Sequence, residues 1–307
     1  MKPIWYRERR ETMEIKSACR LIRGVSGRPP RVLGARLAVV VAVLGMSSGM
    51  ARGAAAQIDY RNLDEGRPTV IEDAYSTERY AFELLTPYRF ERLREGSRVQ
   101  LSILELEYGI ALNAQVGVKL PFARISPSTG VVDGADVSRS GLAGIAFFGL
   151  YNINTEGPIL PALAVRADVS LGVGALGGQG TRTSIKAIAT RSWGATRLHL
   201  NVARGFGSES ALAAVDPLDR LTFGAAVDQT LFRRSVLLIG EVYSRQTARG
   251  NRAEVNAGLG VRYQWKTTTV LDVGVTRRLR RDIGPDIAFT FGLSHAFAFA
   301  GLMPSGR

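Results

Sequence analysis

Cysteine is nearly absent from this sequence. Of its 307 residues only Cys19 is a cysteine, and it lies in the N-terminal leader. A mature chain without cysteine has no disulfide framework and no thiolate metal site. Histidine is almost as rare, with two residues, and no group of histidine and acidic residues has the spacing of metal ligands. The sequence therefore predicts no metal and no other cofactor.

Long apolar runs are also absent after the leader. A transmembrane helix needs about 20 consecutive apolar residues, and no later segment approaches that length. The apolar run 37–44 is shorter, follows a basic region and precedes a group of alanines. This order is typical of a secretory signal peptide and predicts one with a long basic n-region over residues 1–56. The predicted cleavage site consists of Ala54, Ala56 and Gln57, and an uncleaved signal anchor is the alternative.

The basic charge is concentrated in this leader. The whole chain carries a formal charge of +13, from 40 Lys and Arg against 27 Asp and Glu. Residues 1–56 contribute eleven of the basic and three of the acidic residues, which leaves 29 against 24 and a charge of +5. A balance of this size gives no electrostatic reason to expect a nucleic-acid partner.

Strict alternation is clearest in residues 287–299. Every odd position except His295 is large and apolar, and every even position is small or hydroxylated. A period of two residues is that of a β-strand with one apolar face. A long terminal strand that is apolar outward and small inward is typical of an outer-membrane barrel.

Eleven further segments show strand-like patterning, with a bulge expected near Ile103 and Leu104. They are residues 79–90, 98–110, 114–122, 140–153, 161–173, 182–193, 196–203, 221–228, 235–245, 252–265 and 269–276. Twelve is an even number, and long connections alternate with short ones, as in bacterial single-chain barrels. The expected fold is all-β: a single up-and-down antiparallel transmembrane β-barrel of about 12 strands, of outer-membrane type.

The strand pattern also divides the mature chain. The barrel is expected over residues 77–299, preceded by a periplasmic lead-in over 57–76 and followed by a C-terminal tail over 300–307. A soluble periplasmic β-protein is the alternative, but the uniformly apolar outward faces argue against it.

Polar side chains dominate the face that would line the lumen. The predicted lumen-lining residues are Glu83, Glu107, Arg166, Asp168, Lys186, His199, Asn201, Asp228, Glu241, Tyr243, Glu254, Arg262 and Asp272. Charges of both signs could select solutes, as pore linings do. Alternatively, a barrel this narrow fills its interior with charge pairs and trapped water as a structural plug, because an aqueous channel is assured only at about sixteen strands.

His199 is the one candidate for a catalytic base. Neither a serine elbow nor an ordered triad accompanies it in the sequence. We therefore predict no enzymatic activity and no catalytic residue.

A basic cluster lies in the last predicted outer loop. It consists of Arg277, Arg278, Arg280 and Arg281. Such a cluster could bind the phosphates of lipopolysaccharide through charge-assisted hydrogen bonds. A solvated loop is the alternative.

Seven short motifs in a fixed order carry a family resemblance. They are residues 107–110, 117–122, 141–145, 161–166, 224–227, 239–243 and 271–275. With these motifs the sequence resembles the MetA-like family of bacterial outer-membrane proteins, which is named after the meta-pathway of phenol degradation. The resemblance covers residues 75–299. It implies an outer-membrane barrel with a role in the passage of small compounds, including aromatic ones.

Together these features predict a passive channel or transporter for small molecules, with hydrophobic or aromatic compounds as candidates. The alternative is a closed structural or surface-interaction barrel with a plugged lumen and function in its outer loops. The expected location is the outer membrane of a Gram-negative bacterium, after export and signal-peptide cleavage. The expected partners are outer-membrane lipid and lipopolysaccharide, the barrel-assembly machinery and a small-molecule solute.

Overall fold

The computed structural model describes residues 57–93, 97–126, 138–207, 219–231, 235–247, 253–280 and 284–303. Its strands are β1 (Ala81–Leu85), β2 (Tyr88–Arg92), β3 (Ser97–Ala111), β4 (Ala114–Ser126), β5 (Arg139–Leu142), β6 (Ile145–Asn154), β7 (Ala162–Leu171), β8 (Thr181–Trp193), β9 (Thr196–Gly207), β10 (Asp219–Leu231), β11 (Val236–Thr247), β12 (Glu254–Lys266), β13 (Thr269–Arg278) and β14 (Ile287–Ala298). In these described ranges no helix has the length and apolar character needed to cross a membrane.

The fourteen strands form one closed antiparallel sheet. β1 and β2 both pair with β14 on one side and β3 on the other, so together they act as one interrupted barrel strand. β5 and β6 both pair with β4 and form a second interrupted strand. Fourteen strands with two such interruptions make twelve barrel strands, which confirms the predicted fold.

Backbone chemistry explains both interruptions. Pro87 separates β1 from β2, and proline has no N–H for the ladder. Gly144 separates β5 from β6 with φ +123°, a conformation that favours glycine. The predicted bulge is confirmed, because the β3–β4 register shifts between Ser102 and Leu104. The ends of several strands differ from the prediction; for example, β9 runs to Gly207.

The two faces of the barrel differ as the alternation predicts. In β14 the outward Phe291 side chain is 53% exposed, whereas the neighbouring Thr290 is 5% exposed and faces the interior. An outward apolar face of this kind recurs on most strands, while inward positions hold the buried polar residues. The arrangement is that of a barrel that spans a bilayer.

The largest difference from the prediction concerns residues 57–76, which were expected to precede the barrel as a lead-in. Residues 58–77 instead run inside the ring of strands, and we call them the lumenal segment. The segment enters at the end of the barrel that carries the two-residue turns 112–113, 194–195 and 267–268, where the N–H of Ile58 donates to the carbonyl of Thr267 at 3.0 Å. This end is called the turn end below, and the opposite end the loop end.

The lumenal segment returns to the end at which it entered. Beyond it, the N–H of Tyr80 donates to the carbonyl of Gly109, near turn 112–113, at 2.7 Å. β1 then begins at Ala81. The segment is therefore a loop that enters and leaves through the turn end and fills that half of the lumen.

Small inward residues make room for this loop. A Cβ atom built on Gly260 would lie 2.6 Å from Cγ of Pro68. A Cβ on Gly274 would collide with the Pro68 carbonyl, and a Cβ on Gly224 would lie 2.7 Å from Cδ1 of Ile71. The lumenal segment occupies the space in which side chains at these three positions would lie, and this explains why the positions are glycines.

The chain beyond β14 also covers the turn end. A short 3₁₀ helix spans Ala300–Leu302. Met303 follows it and packs against a buried apolar cluster that contains Ile58, Val270 and Ala298. The tail up to Met303 therefore closes over the point where the lumenal segment enters.

Candidate functional site

Inward side chains of the barrel strands, which we call the wall, form hydrogen bonds with the backbone of the lumenal segment. These bonds take the place of the ladder that the segment would form in a sheet. Oε2 of Glu241 accepts from the N–H groups of Val70 and Ile71, at 2.8 and 3.1 Å. The Asn201 amide pairs with the backbone of Glu72 in both directions, because Oδ1 accepts from its N–H at 2.9 Å and Nδ2 donates to its carbonyl at 2.8 Å. Buried backbone groups need such partners.

The returning half of the segment is held in the same way. The N–H of Ala74 donates to Oγ1 of Thr190 at 3.0 Å, and its carbonyl accepts from Nδ2 of Asn152 at 2.6 Å. Further on, the N–H of Thr77 donates to Oε1 of Gln115 at 2.5 Å. Contacts on widely separated strands fix the course of the segment.

Acidic residues of the segment pair with basic residues of the wall. Glu72 contacts Nη1 of Arg166 at 2.6 Å and Nζ of Lys186 at 2.9 Å. Asp73 contacts Nη1 of Arg197 at 3.1 Å. The segment therefore supplies counter-charges that the wall needs in its interior.

In one further pairing the basic residue belongs to the segment and an acidic residue belongs to the wall. Arg67 of the segment lies 2.7 Å from Asp64 and 3.5 Å from Asp272 of β13, and its guanidinium also donates to Ser294. Arg262 contacts the same two carboxylates, at 3.3 Å from Asp64 and 2.6 Å from Asp272. These residues form a buried ionic network that ties the segment to β12, β13 and β14.

His199 belongs to a second buried group, which includes Asp228 and Arg197. It is fully buried, with Nδ1 3.0 Å from Oγ1 of Thr190 and Nε2 2.9 Å from Oδ2 of Asp228. Asp228 also accepts from Arg197. Both ring nitrogens are therefore occupied, and this geometry gives His199 a structural role.

A cavity of about 310 Å³ lies above the segment toward the loop end. Its basic lining residues are Arg89, Lys119, Arg166, Arg182, Lys186 and Arg245, and its acidic ones are Glu65, Glu91, Glu105, Asp168 and Asp219. None of the described residues that line it has an aromatic side chain. Such a lining suits a small polar or charged molecule better than a hydrocarbon.

The thirteen residues predicted to line the lumen all point into the ring, but they separate into two groups. Arg166, Asp168, Lys186 and Asn201 line the cavity. The other nine lie outside that lining, where several contact the lumenal segment directly and the rest are buried among the inward side chains. The cavity is also lined by Arg89 and Arg245, which are not among the thirteen predicted residues.

The predicted basic cluster is split by the structure. Arg278 contacts the carboxylate of Asp286 and donates to the Gly284 carbonyl at 2.8 Å, so its guanidinium is occupied. Arg277 and Arg280 are exposed, and Arg281 lies outside the described residues. Of the predicted cleavage site, Ala54 and Ala56 also lie outside the described residues, and Gln57 is exposed.

Exposed arginines form a girdle at the loop end. They are Arg92, Arg124, Arg204 and Arg277, which face outward near the ends of β2, β4, β9 and β13. On β2, β4 and β13 the arginine is the next outward residue after the last apolar one, whereas on β9 the outward Phe206 follows Arg204. Arg277 and Arg92 flank Ile287 in register across β13, β14 and β2. On the strands whose side chains the structure describes, no acidic residue faces outward. The outward face thus has an apolar band with a basic border.

No group of three or more metal-ligating side chains was found in the described part of the chain. No family model matches the sequence, and neither does any curated protein. The resemblance to the MetA-like family therefore stays a prediction.

Several solved structures share the fold. The COG4313 outer membrane channel from Pseudomonas putida F1 is 15% identical with a TM-score of 0.57, over 76% of this chain and 100% of that one. The KdgM porin is 13% identical with a TM-score of 0.46, over 69% and 99%. The CymD monoaromatic hydrocarbon channel is 9% identical with a TM-score of 0.44, over 82% and 97%. The first likeness shows the fold alone, and the other two are too weak to support an inference.

Proposed function

We propose that this protein is an outer-membrane channel for small polar solutes whose turn-end half is closed by the lumenal segment. The observation that carries the proposal is the charged cavity of about 310 Å³ inside a closed ring of strands. Solutes enter it from the loop end, and the lumenal segment is the barrier to passage. The polar lining replaces our expectation of hydrophobic or aromatic cargo.

The apolar outward band supports insertion in the outer membrane, after export of the chain by its predicted signal peptide. The arginine girdle marks the level of the lipid headgroups at the loop end. Guanidinium groups bind phosphate through paired, charge-assisted hydrogen bonds. We propose that Arg92, Arg124, Arg204 and Arg277 contact the phosphates of lipopolysaccharide, in place of the single-loop cluster predicted from the sequence.

A closed structural barrel is the second candidate, and the lumenal segment itself favours it. The segment makes hydrogen bonds and ion pairs with many strands, and all of them would resist its movement. In this case the cavity does not continue through the barrel, solutes do not cross, and the function lies in the outer loops.

Liposome swelling distinguishes the two candidates. Vesicles that contain the refolded mature chain, residues 57–307, are diluted into isosmotic glycerol or into an isosmotic arabinose solution. A channel admits these solutes, and the vesicles swell faster than protein-free vesicles. A folded, heat-modifiable barrel that gives no faster swelling with either solute would contradict the channel and favour the closed barrel.

A further inference from the structure

Glu65 is the one acidic residue of the lumenal segment that reaches the cavity. Its Oε1 lies 3.1 Å from Nζ of Lys186, and its Oε2 lies 3.5 Å from Nη2 of Arg166. The Glu65 side chain is 38% exposed, whereas those of Lys186 and Arg166 are 7% and 1% exposed. A partly exposed carboxylate therefore contacts two buried cations of the strands β7 and β8.

The same two cations already have deeper partners. Arg166 and Lys186 each contact one oxygen of Glu72, which is buried, and Arg166 also lies 2.9 Å from Asp168. These contacts hold both cations in place whether or not Glu65 is present. The wall thus presents a preformed site for one further carboxylate, open to the cavity.

Glu65 is suited to leave that site. Its contacts are longer than those of Glu72, and its exposure to the cavity allows water to solvate it after release. Solvent screens the interaction on the Glu65 side, since Glu65 is partly exposed while Arg166 and Lys186 are buried. A carboxylate from solution could take its place by exchanging one charge-assisted contact for another.

We propose that Arg166 and Lys186 bind the carboxylate of a small anionic solute, and that Glu65 occupies this site when no solute is present. The inference rests on the proposed channel function and names the class of solute. Binding of the solute displaces Glu65 and removes one anchor of the lumenal segment on the cavity side. Solute binding is thereby coupled to loosening of the barrier.

The test compares two probes of equal size and different charge, acetate and acetamide, with the refolded chain 57–307. Binding is followed by ligand-observed saturation-transfer NMR, which detects weak complexes. Acetate is expected to bind and acetamide is not. In E65Q the competing charge is removed, so acetate should bind more tightly, by about two- to fivefold if the partly exposed Glu65 carboxylate competes with the strength of a solvent-screened ion pair.

Two further variants complete the design. E156Q is the matched control, because Glu156 pairs with Arg191 away from the cavity and its loss should leave acetate binding unchanged. The double variant E72Q/K186M removes one negative and one positive charge, so the net charge of the interior is unchanged. Because it also removes one of the two cations of the site, acetate binding should disappear. Equal binding of acetate and acetamide, or equal acetate binding by E65Q and the unaltered chain, would overturn the proposal. Because binding is measured without transport, a chain that binds acetate but gives no solute flux would refute the channel and leave the site standing.

Discussion

The hydrogen bonds of Glu241 offer the sharpest test of how the lumenal segment is held. One carboxylate oxygen accepts from two consecutive backbone N–H groups, those of Val70 and Ile71. Both bonds are lost in E241A, whereas E241Q retains an uncharged acceptor. The substitution lies on β11, so the strand pairing of the barrel is not directly changed.

The size of the effect follows from the type of bond. A hydrogen bond to a charged acceptor contributes about 1.5–3 kcal/mol, so two of them contribute about 3 kcal/mol even at the low end. If the segment must leave Glu241 for its amides to exchange, E241A should accelerate exchange about 100-fold. E241Q should accelerate it about tenfold, because neutral hydrogen bonds are roughly half as strong.

Hydrogen exchange of the refolded chain measures this directly. The amides of Val70 and Ile71 should lose protection in E241A, while amides in the β11–β12 ladder keep theirs and serve as the internal control. Equal protection of the two amides in E241A and the unaltered chain would refute the reasoning, because it would mean that Glu241 does not hold the segment.

Two other predictions follow from the same structure. G260L places a side chain in the space of Pro68 and should expel the lumenal segment, so that added protease cleaves the segment while the barrel stays heat-modifiable. G240L is the matched control, because a Cβ on Gly240 meets its nearest atom only at 3.7 Å. Equal cleavage of both variants would contradict the packing. The triple variant R92Q/R124Q/R277Q should lose most of the rise in melting temperature that added lipopolysaccharide gives the unaltered chain; K266Q, at the turn end, should keep that rise, and an undiminished rise in the triple variant would argue against the girdle.

The architecture of the barrel could be predicted because it depends on a local signal. In β14, Phe289, Phe291 and Leu293 alternate with small inward residues, and a period of two specifies a strand and both of its faces. The register slip near Ser102 was readable for the same reason. The interruptions at Pro87 and Gly144 were not predicted. The alternation continues beyond Pro87, and residues 140–153 are apolar on both faces, so their pattern does not show a break.

The lumenal segment could not be predicted from its own residues. It has no periodicity, because its backbone bonds to side chains such as Glu241 and Asn201 instead of to a neighbouring strand. A signal was present in the wall, however. Inward glycines at Gly260 and Gly274 leave a volume that another part of the chain must fill.

Only part of the candidate site could be predicted from the sequence. Alternation indicated that Arg166 and Lys186 face inward, because that depends only on strand phase. It could not show that Glu65 meets them, since that contact joins residues about 100 positions or more apart. Nor could it show the girdle, because a single arginine at a strand end carries no signal until the strands are aligned.

The central claim is that the lumenal segment is the barrier in the channel. The chain 57–307 contains no cysteine, and the Cβ position of Gly260 lies 2.9 Å from Cβ of Pro68. A P68C/G260C disulfide is therefore expected after a small separation of the two positions, and it can be released by a reductant. The decisive measurement is single-channel conductance of this variant in planar bilayers. The account predicts silence in the oxidised form and discrete conductance steps after reduction, with P68C alone indifferent to the reductant. Equal conductance in the oxidised and reduced forms, or silence in both, would contradict it.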